Sequence, residues 1–210
     1  MKAILFDLDG TLVDSQGDIL SSFAEAFRGL GLPLPPRERL LGVIGMRLED
    51  CFAQVLDGNE KLGTEGARLF RAYYHDHYLD TTHPYPGADD VLRKLQGRYA
   101  LGVCTMKRAD YALRLVSAFG WEVLVGALVG SEEGFPAKPD PAMLLELCRR
   151  VGVEVRDALY VGDTIMDARM AQAAGAPFAF AAYGYGTLDG ATGLPMRLKL
   201  ESVSDILKFV

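Results

Sequence analysis

The stretch FDLDGTLVDS, residues 6–15, places two carboxylates, Asp7 and Asp9, directly after the apolar run Ala3-Ile4-Leu5-Phe6. In extended backbone, positions i and i+2 point to the same side. Two like charges held that close repel, and one resists ionising unless a cation or strong donors lie between them. Other groups of that kind stand just beyond later apolar runs: Thr105 in VCTMKR, Lys138 in AKPDP, and Asp163 with Asp167 in GDTIMD. Asp7, Asp9 and Asp163 form a hard, oxygen-only donor set, which suits Mg²⁺ rather than zinc. Thr105 and Lys138 are donors for an anionic oxygen, the lysine acting as a point charge. A carboxylate nucleophile beside a cation and phosphate donors is the arrangement that makes an aspartyl-phosphate. Positioning and charge neutralisation then supply most of the acceleration.

Such a set works only if the fold gathers it. Five apolar runs predict buried strands at Lys2–Phe6, Tyr99–Cys104, Leu124–Val129, Ala158–Val161 and Pro177–Ala181. They lack clean alternation, as strands covered on both faces do. Helical patterns lie between the later runs: Asp110–Phe119, Pro141–Val151 and Ile165–Ala174, closing on Gly120, Gly152 and Gly175. Alternating strand and helix predicts an α/β fold with a doubly wound parallel sheet, which binds ligands beyond the carboxyl ends of its strands. Three acids (Asp7, Asp9, Asp163), the Thr105 hydroxyl and Lys138 would then meet at one edge.

Residues 7–98 separate the first two strands, far more than one crossover needs. Ile19, Leu20, Phe23, Ala26, Phe27 and Leu30 make an amphipathic face, and Leu48–Leu56 and Glu65–Tyr78 make two more helices. A helical domain over 16–82, inserted into a core of 1–15 and 83–210, is the expected organisation. Asp89–Gln96 predicts the first core helix.

Composition narrows the partners. Half of the 210 residues are apolar and 24% are charged, normal for a protein with ample core. With 22 basic and 28 acidic residues the formal charge is −6, which argues against a nucleic-acid or anionic-membrane surface. Cys51, Cys104 and Cys148 are odd in number and without a CxxC, and read as reduced core thiols of a cytoplasmic protein. No segment approaches a membrane span or a signal peptide.

The motifs FDLDGTLVDS, Thr105 at its strand end, Lys138 in KPDP and GDTIMD, in this order along the whole chain, resemble the haloacid dehalogenase-like (HAD) superfamily. The long first gap resembles the helical cap of phosphoglycolate-phosphatase-like and β-phosphoglucomutase-like members. The resemblance implies a phosphatase of small phosphorylated metabolites, 2-phosphoglycolate first among them, with a sugar phosphomutase as the alternative. It implies Asp7 as nucleophile and Asp9 as general acid and then base. Mg²⁺ would be held by Asp7, Asp163 and the main-chain carbonyl of Asp9, with Asp167 supporting Lys138 or metal-bound water. The acid at position 9 sets the chain apart from dehalogenases, whose halide leaving group needs no proton.

Further residues take weaker expectations. Met106 stands where relatives of this group carry Asn, so only its N–H is left to bind phosphate. Lys107 reads as a solvated helix-start residue. Arg47, in Ile44-Gly45-Met46-Arg47, resembles a specificity loop and could meet a substrate carboxylate or a second anion. Gly184-Tyr185-Gly186 resembles a glycine-rich loop at the crevice rim. His75, His77 and His83 read as structural or surface residues. The chain is expected as a monomer or homodimer.

Overall fold

The computed structural model describes residues 1–188, 194 and 196–210. The chain divides into two compact units, 1–14 with 84–210, and 15–83. The inserted unit thus begins and ends one residue outside the predicted 16–82.

The first unit is built on the runs β1 (Ala3–Phe6), β4 (Ala100–Arg108), β5 (Ala127–Ser131), β6 (Ala158–Gly162), β7 (Phe178–Ala181) and β8 (Met196–Leu200). They form one parallel sheet in the order β5-β4-β1-β6-β7-β8. Every residue of β1, β6 and β7 is buried, as strands covered on both faces require. The two-residue strands β2 (Val13–Asp14) and β3 (His83–Pro84) stand where the chain leaves and re-enters this unit. Its helices are α5 (Ala88–Leu95), α6 (Ala109–Ala118), α7 (Ala142–Val151) and α8 (Ile165–Ala174). Leu5, Cys104, Val129, Leu144, Leu147 and Tyr160 are among the residues of its core.

The order of strands decides where chemistry can occur. From β1 the chain builds outward through β4 to β5, then returns past β1 to begin β6. The sheet therefore reverses its winding beside β1, the place where parallel sheets open a ligand crevice. Phe6 pairs with Val103 on one side and Val161 on the other, so β1 and β6 end almost level while β4 runs on beside them.

In the sheet, two strand boundaries and one added strand differ from expectation. β4 runs on to Arg108 instead of ending at Cys104, with its register against β5 slipping between those residues. β5 starts at Ala127, because the carbonyl of the fully buried Trp121 accepts from the N–H groups of Leu124 and Val125 and turns the chain there. β8 is a sixth strand whose sequence, MRLKL, carries two cations and no apolar run. Cationic side chains suit a sheet edge.

The second unit holds α1 (Gln16–Leu30), α2 (Arg37–Leu41), α3 (Leu48–Val55) and α4 (Glu60–His77). Phe23, Phe52 and Phe70 form its aromatic centre, Phe23 lying 5.2 Å from Phe52 and 5.0 Å from Phe70 between ring centroids. α4 begins five residues earlier than predicted, since the Asn59 side chain accepts from Leu62 N–H and caps it. At the base of the unit Asp18 is buried. Its Oδ1 accepts from Thr81 N–H (2.9 Å) and Thr81 Oγ1 (2.6 Å), and its Oδ2 from Thr82 N–H (2.9 Å) and Thr82 Oγ1 (2.7 Å).

Candidate active site

Asp7 prolongs β1, its N–H donating to the carbonyl of Val161 at 2.8 Å. Beyond it the chain curls at once, because the Leu8 carbonyl accepts from Thr11, Leu12 and Val13. Gly10 takes φ +77° in that curl, and a Cβ there would stand 2.3 Å from the Asp163 carboxylate. Only glycine lets the loop lie so close to Asp163.

Lys138 is the hub beside Asp7. Its ammonium lies 3.0 Å from Asp7 Oδ1 and donates to Asp167 Oδ1 at 2.7 Å and to Tyr160 Oη at 2.9 Å, all within the interior. The Tyr160 hydroxyl in turn lies 3.0 Å from Asp167 Oδ1 and 3.1 Å from the Cys104 carbonyl, either of which can take its proton. Asp167 Oδ2 accepts from the N–H and hydroxyl of Thr164, closing a capping box at the start of α8. Both Asp167 oxygens are thus met by protein donors.

Asp163 is held from two sides. Its Oδ1 accepts from Thr11 Oγ1 at 3.3 Å, and its Oδ2 from the N–H groups of Tyr185 (2.8 Å) and Gly186 (3.3 Å). The same loop is tied back to the curl: Tyr183 Oη donates to the Thr11 carbonyl at 2.8 Å and Tyr185 Oη to Asp14 Oδ1 at 3.0 Å.

Asp7, Asp163 and Asp167 each offer a carboxylate oxygen within 4.8 Å of the others, all buried. Burial raises Asp7, with Asp167 and Asp9 adding to the rise and Lys138 opposing it. Burial likewise pushes Asp163 well up, with Asp167 and Asp7 adding to it, against the pull of the Tyr185 and Gly186 N–H groups. Burial alone would lower Lys138, but the Asp167 and Asp7 carboxylates outweigh it and hold its pKa raised.

A divalent cation fits this set on three counts. The donors are all oxygen. Among the described residues Asp7 Oδ1 is buried with no aligned hydrogen-bond donor, although the Lys138 ammonium is at ion-pair distance. Four carboxylates (Asp7, Asp9, Asp163, Asp167) stand against two ammoniums (Lys107, Lys138), so with every acid ionised two negative charges would be left for a cation to balance.

The chain matches the model of the haloacid dehalogenase-like hydrolases over residues 4–181. It belongs to that family. It is 34% identical over 194 residues to the phosphoglycolate phosphatase of Haemophilus influenzae, covering 88% of this chain and 87% of that one. It is 32% identical over 211 residues to a plasmid-encoded phosphoglycolate phosphatase of Cupriavidus necator, covering 98% and 90%. Among solved structures it resembles a predicted phosphoglycolate phosphatase from Haemophilus somnus, with a TM-score of 0.91 at 27% identity over 100% of this chain and 97% of that one. A haloacid dehalogenase-like hydrolase from Streptococcus pneumoniae also has a TM-score of 0.91, at 25% identity over 100% and 98%.

Within this HAD chain the sequence-predicted residues divide into three groups. Asp7, Lys138, Asp163 and Asp167 share one buried cluster. Thr105 follows Cys104 on the strand beside β1, buried, its Oγ1 accepting from Lys107 N–H at 3.1 Å, which leaves the hydroxyl proton to donate. Met106 turns its side chain into the core, so its main chain is what it can offer a ligand. The Asp9 carboxylate stands outside the three-carboxylate group. Arg47 belongs to the inserted unit, where it precedes α3 and its Nε lies 3.6 Å from Asp50 Oδ2.

The expectation for Lys107 is overturned. It is no solvated helix-start residue: it lies in β4, its side chain is 6% exposed, and its ammonium is 3.1 Å from Asp9 Oδ1. Thr11 and Tyr160 also escaped the sequence reading. Thr11 stands within FDLDGTLVDS without a role assigned to it, and Tyr160 reads as one more apolar strand residue, whereas Tyr185 lies in the glycine-flanked loop expected at the crevice rim. His77 contacts Asp80 and stacks on Tyr73, and His83 faces the Thr81 carbonyl, in keeping with structural roles.

Proposed function

We propose that this chain is a Mg²⁺-dependent phosphomonoester phosphatase of small phosphorylated metabolites, with 2-phosphoglycolate as its preferred substrate. The observation that carries the reading is Asp7 itself, a buried carboxylate at the sheet's switch point with an unaligned oxygen and a lysine at 3.0 Å. The names of the Haemophilus and Cupriavidus relatives support the substrate.

Asp7, Asp163 and the main-chain carbonyl of Asp9 would hold Mg²⁺, and Asp167, already saturated by Lys138, Tyr160 and Thr164, would fix Lys138. When bound, the ion neutralises the facing anions of nucleophile and phosphate. Thr105 Oγ1, the Met106 N–H and Lys138 Nζ would grip the phosphoryl oxygens. Asp7 attacks phosphorus in line, the bond to the leaving oxygen breaks, and Asp9 gives that oxygen its proton. Asp9 then removes a proton from water, which attacks the aspartyl-phosphate and returns Asp7 and free phosphate. Arg47 would meet the carboxylate of the substrate. Three buried, unpaired thiols accord with a cytoplasmic protein.

The test is phosphate release across a panel of phosphorylated metabolites at saturating Mg²⁺, repeated with Asp7→Asn. Release from 2-phosphoglycolate above other substrates, abolished in the variant, is the expected result. Conversion of a hexose 1-phosphate to its 6-phosphate without phosphate release would replace hydrolysis by mutase chemistry.

A further inference from the structure

Lys107 has no part in the mechanism just described, yet its ammonium is buried against a carboxylate that does. The Lys107 Nζ to Asp9 Oδ1 distance is 3.1 Å, with the two side chains 6% and 11% exposed. An ion pair so withdrawn from water is little screened, unlike the surface pairs elsewhere on the chain. Its placement is built into the backbone. The register of β4 slips against β5 between Cys104 and Arg108, and Lys107 N–H closes onto Thr105 Oγ1 within that slip. A bulge at a strand end re-aims side chains, and here the one re-aimed is a lysine. The two cations of the site are thereby shared out: Lys138 serves Asp7 and Asp167, and Lys107 serves Asp9.

We propose that Lys107 is a positioning residue for Asp9, fixing its carboxylate in the orientation that delivers a proton to the leaving group. In the first half-reaction the phosphorus–oxygen bond to the leaving group breaks, its electron pair stays on that oxygen, and the Asp9 proton moves there as Asp7 bonds to phosphorus. This inference rests on the phosphatase reading above.

Leaving-group dependence isolates the role. The Mg²⁺-loaded enzyme and its Lys107→Met, Lys107→Arg and Asp9→Asn variants are compared by kcat/KM on aryl and alkyl phosphates of graded leaving-group acidity. That ratio reports steps up to phosphoryl transfer to Asp7, so hydrolysis of the aspartyl-phosphate does not enter. A dinitrophenolate departs without a proton and an alkoxide does not. Lys107→Met is expected to lose about tenfold to 100-fold on the alkyl phosphate and about twofold on the dinitrophenyl ester, within the range of general acid catalysis. Lys107→Arg is expected to recover part of the alkyl rate, and Lys107→Met combined with Asp9→Asn to be no worse than Asp9→Asn. An equal fall on every substrate, as a structural or substrate-binding role would give, overturns the proposal, and so does no fall. Should Lys107→Met melt early, Lys107→Gln in the same series decides by the same criterion. If Asp9→Asn shows a flat dependence, the general-acid assignment fails first and takes the Lys107 role with it; activity in Asp7→Asn would instead overturn the phosphatase reading.

Discussion

The main-chain N–H of Tyr185 donates to Asp163 Oδ2 across 2.8 Å, so a loop beyond the fifth strand of the sheet, β7, orients an acid that follows β6. The loop approaches because Gly184 has no side chain: a Cβ there would lie 2.3 Å from Asp163 Cβ and 2.3 Å from the Gly10 carbonyl oxygen. Gly184→Ala must push the loop off Asp163. The expected result is a fall in Mg²⁺ affinity of about 10- to 100-fold by titration calorimetry, the usual penalty for losing a group that orients a ligand. Unchanged affinity would remove Asp163 from the ligand set.

Lys138 is the second point of attack. Replacing it by Met leaves Asp7 and Asp167 buried without their shared cation. Breaking one side of such a pair costs about 3–5 kcal/mol, to be read from urea unfolding without metal. Tyr160→Phe keeps the ion pairs and removes one hydroxyl, for which about 1 kcal/mol is expected.

Asp7 gives the metal-free protein a defined response to pH. Burial, with help from Asp167 and Asp9, raises its pKa from 3.8 to about 7. A folded-state value above the unfolded one means that ionisation opposes folding: no penalty below pH 3.8, and a growing one as pH climbs to about 7. A bound divalent ion removes that penalty, and protons compete with it. The rise in Tm on adding Mg²⁺ is therefore expected to be larger at pH 8 than at pH 5.5, with protons released on binding. Equal Tm rises at both pH values would contradict Asp7 as a ligand.

The thiols are expected to be silent. Burial pushes Cys51 and Cys104 up to about 12 and Cys148 to about 11. At pH 8 all three stay protonated and shielded, and only a thiolate reacts. An aromatic disulfide reagent is expected to find none in the native protein and three after guanidinium unfolding.

In the inserted unit, Asp18→Ala strips four close donors of their acceptor: the N–H and hydroxyl of Thr81 and of Thr82. Unsatisfied donors on buried Thr82 and a lost charge-assisted network put the expected loss at about 2 kcal/mol, seen as a lower urea midpoint.

Much of this was legible because type and spacing carry it. Asp7, Lys138, Asp163 and Asp167 stand just past apolar runs, and a parallel sheet has one edge where such positions can meet. α8 spans Ile165–Ala174, where its helical pattern and Gly175 predict it. What escaped depends on irregularity. Lys107 lies within the stretch where β4 slips its register, and no periodic pattern announces a slip. β8 lies at a sheet edge, where cations replace the apolar run that marks an interior strand. Tyr160 shows its hydroxyl's role only once Lys138 and Asp167, brought in by a loop and a helix, are seen around it.

The clasp at Asp18 has an evolutionary reading. A segment that leaves the sheet scaffold and comes back with its first and last turns knotted to each other is a self-contained graft. It can be lengthened, trimmed or exchanged for another while the host strands keep their threading, as insertions with adjoining ends generally can.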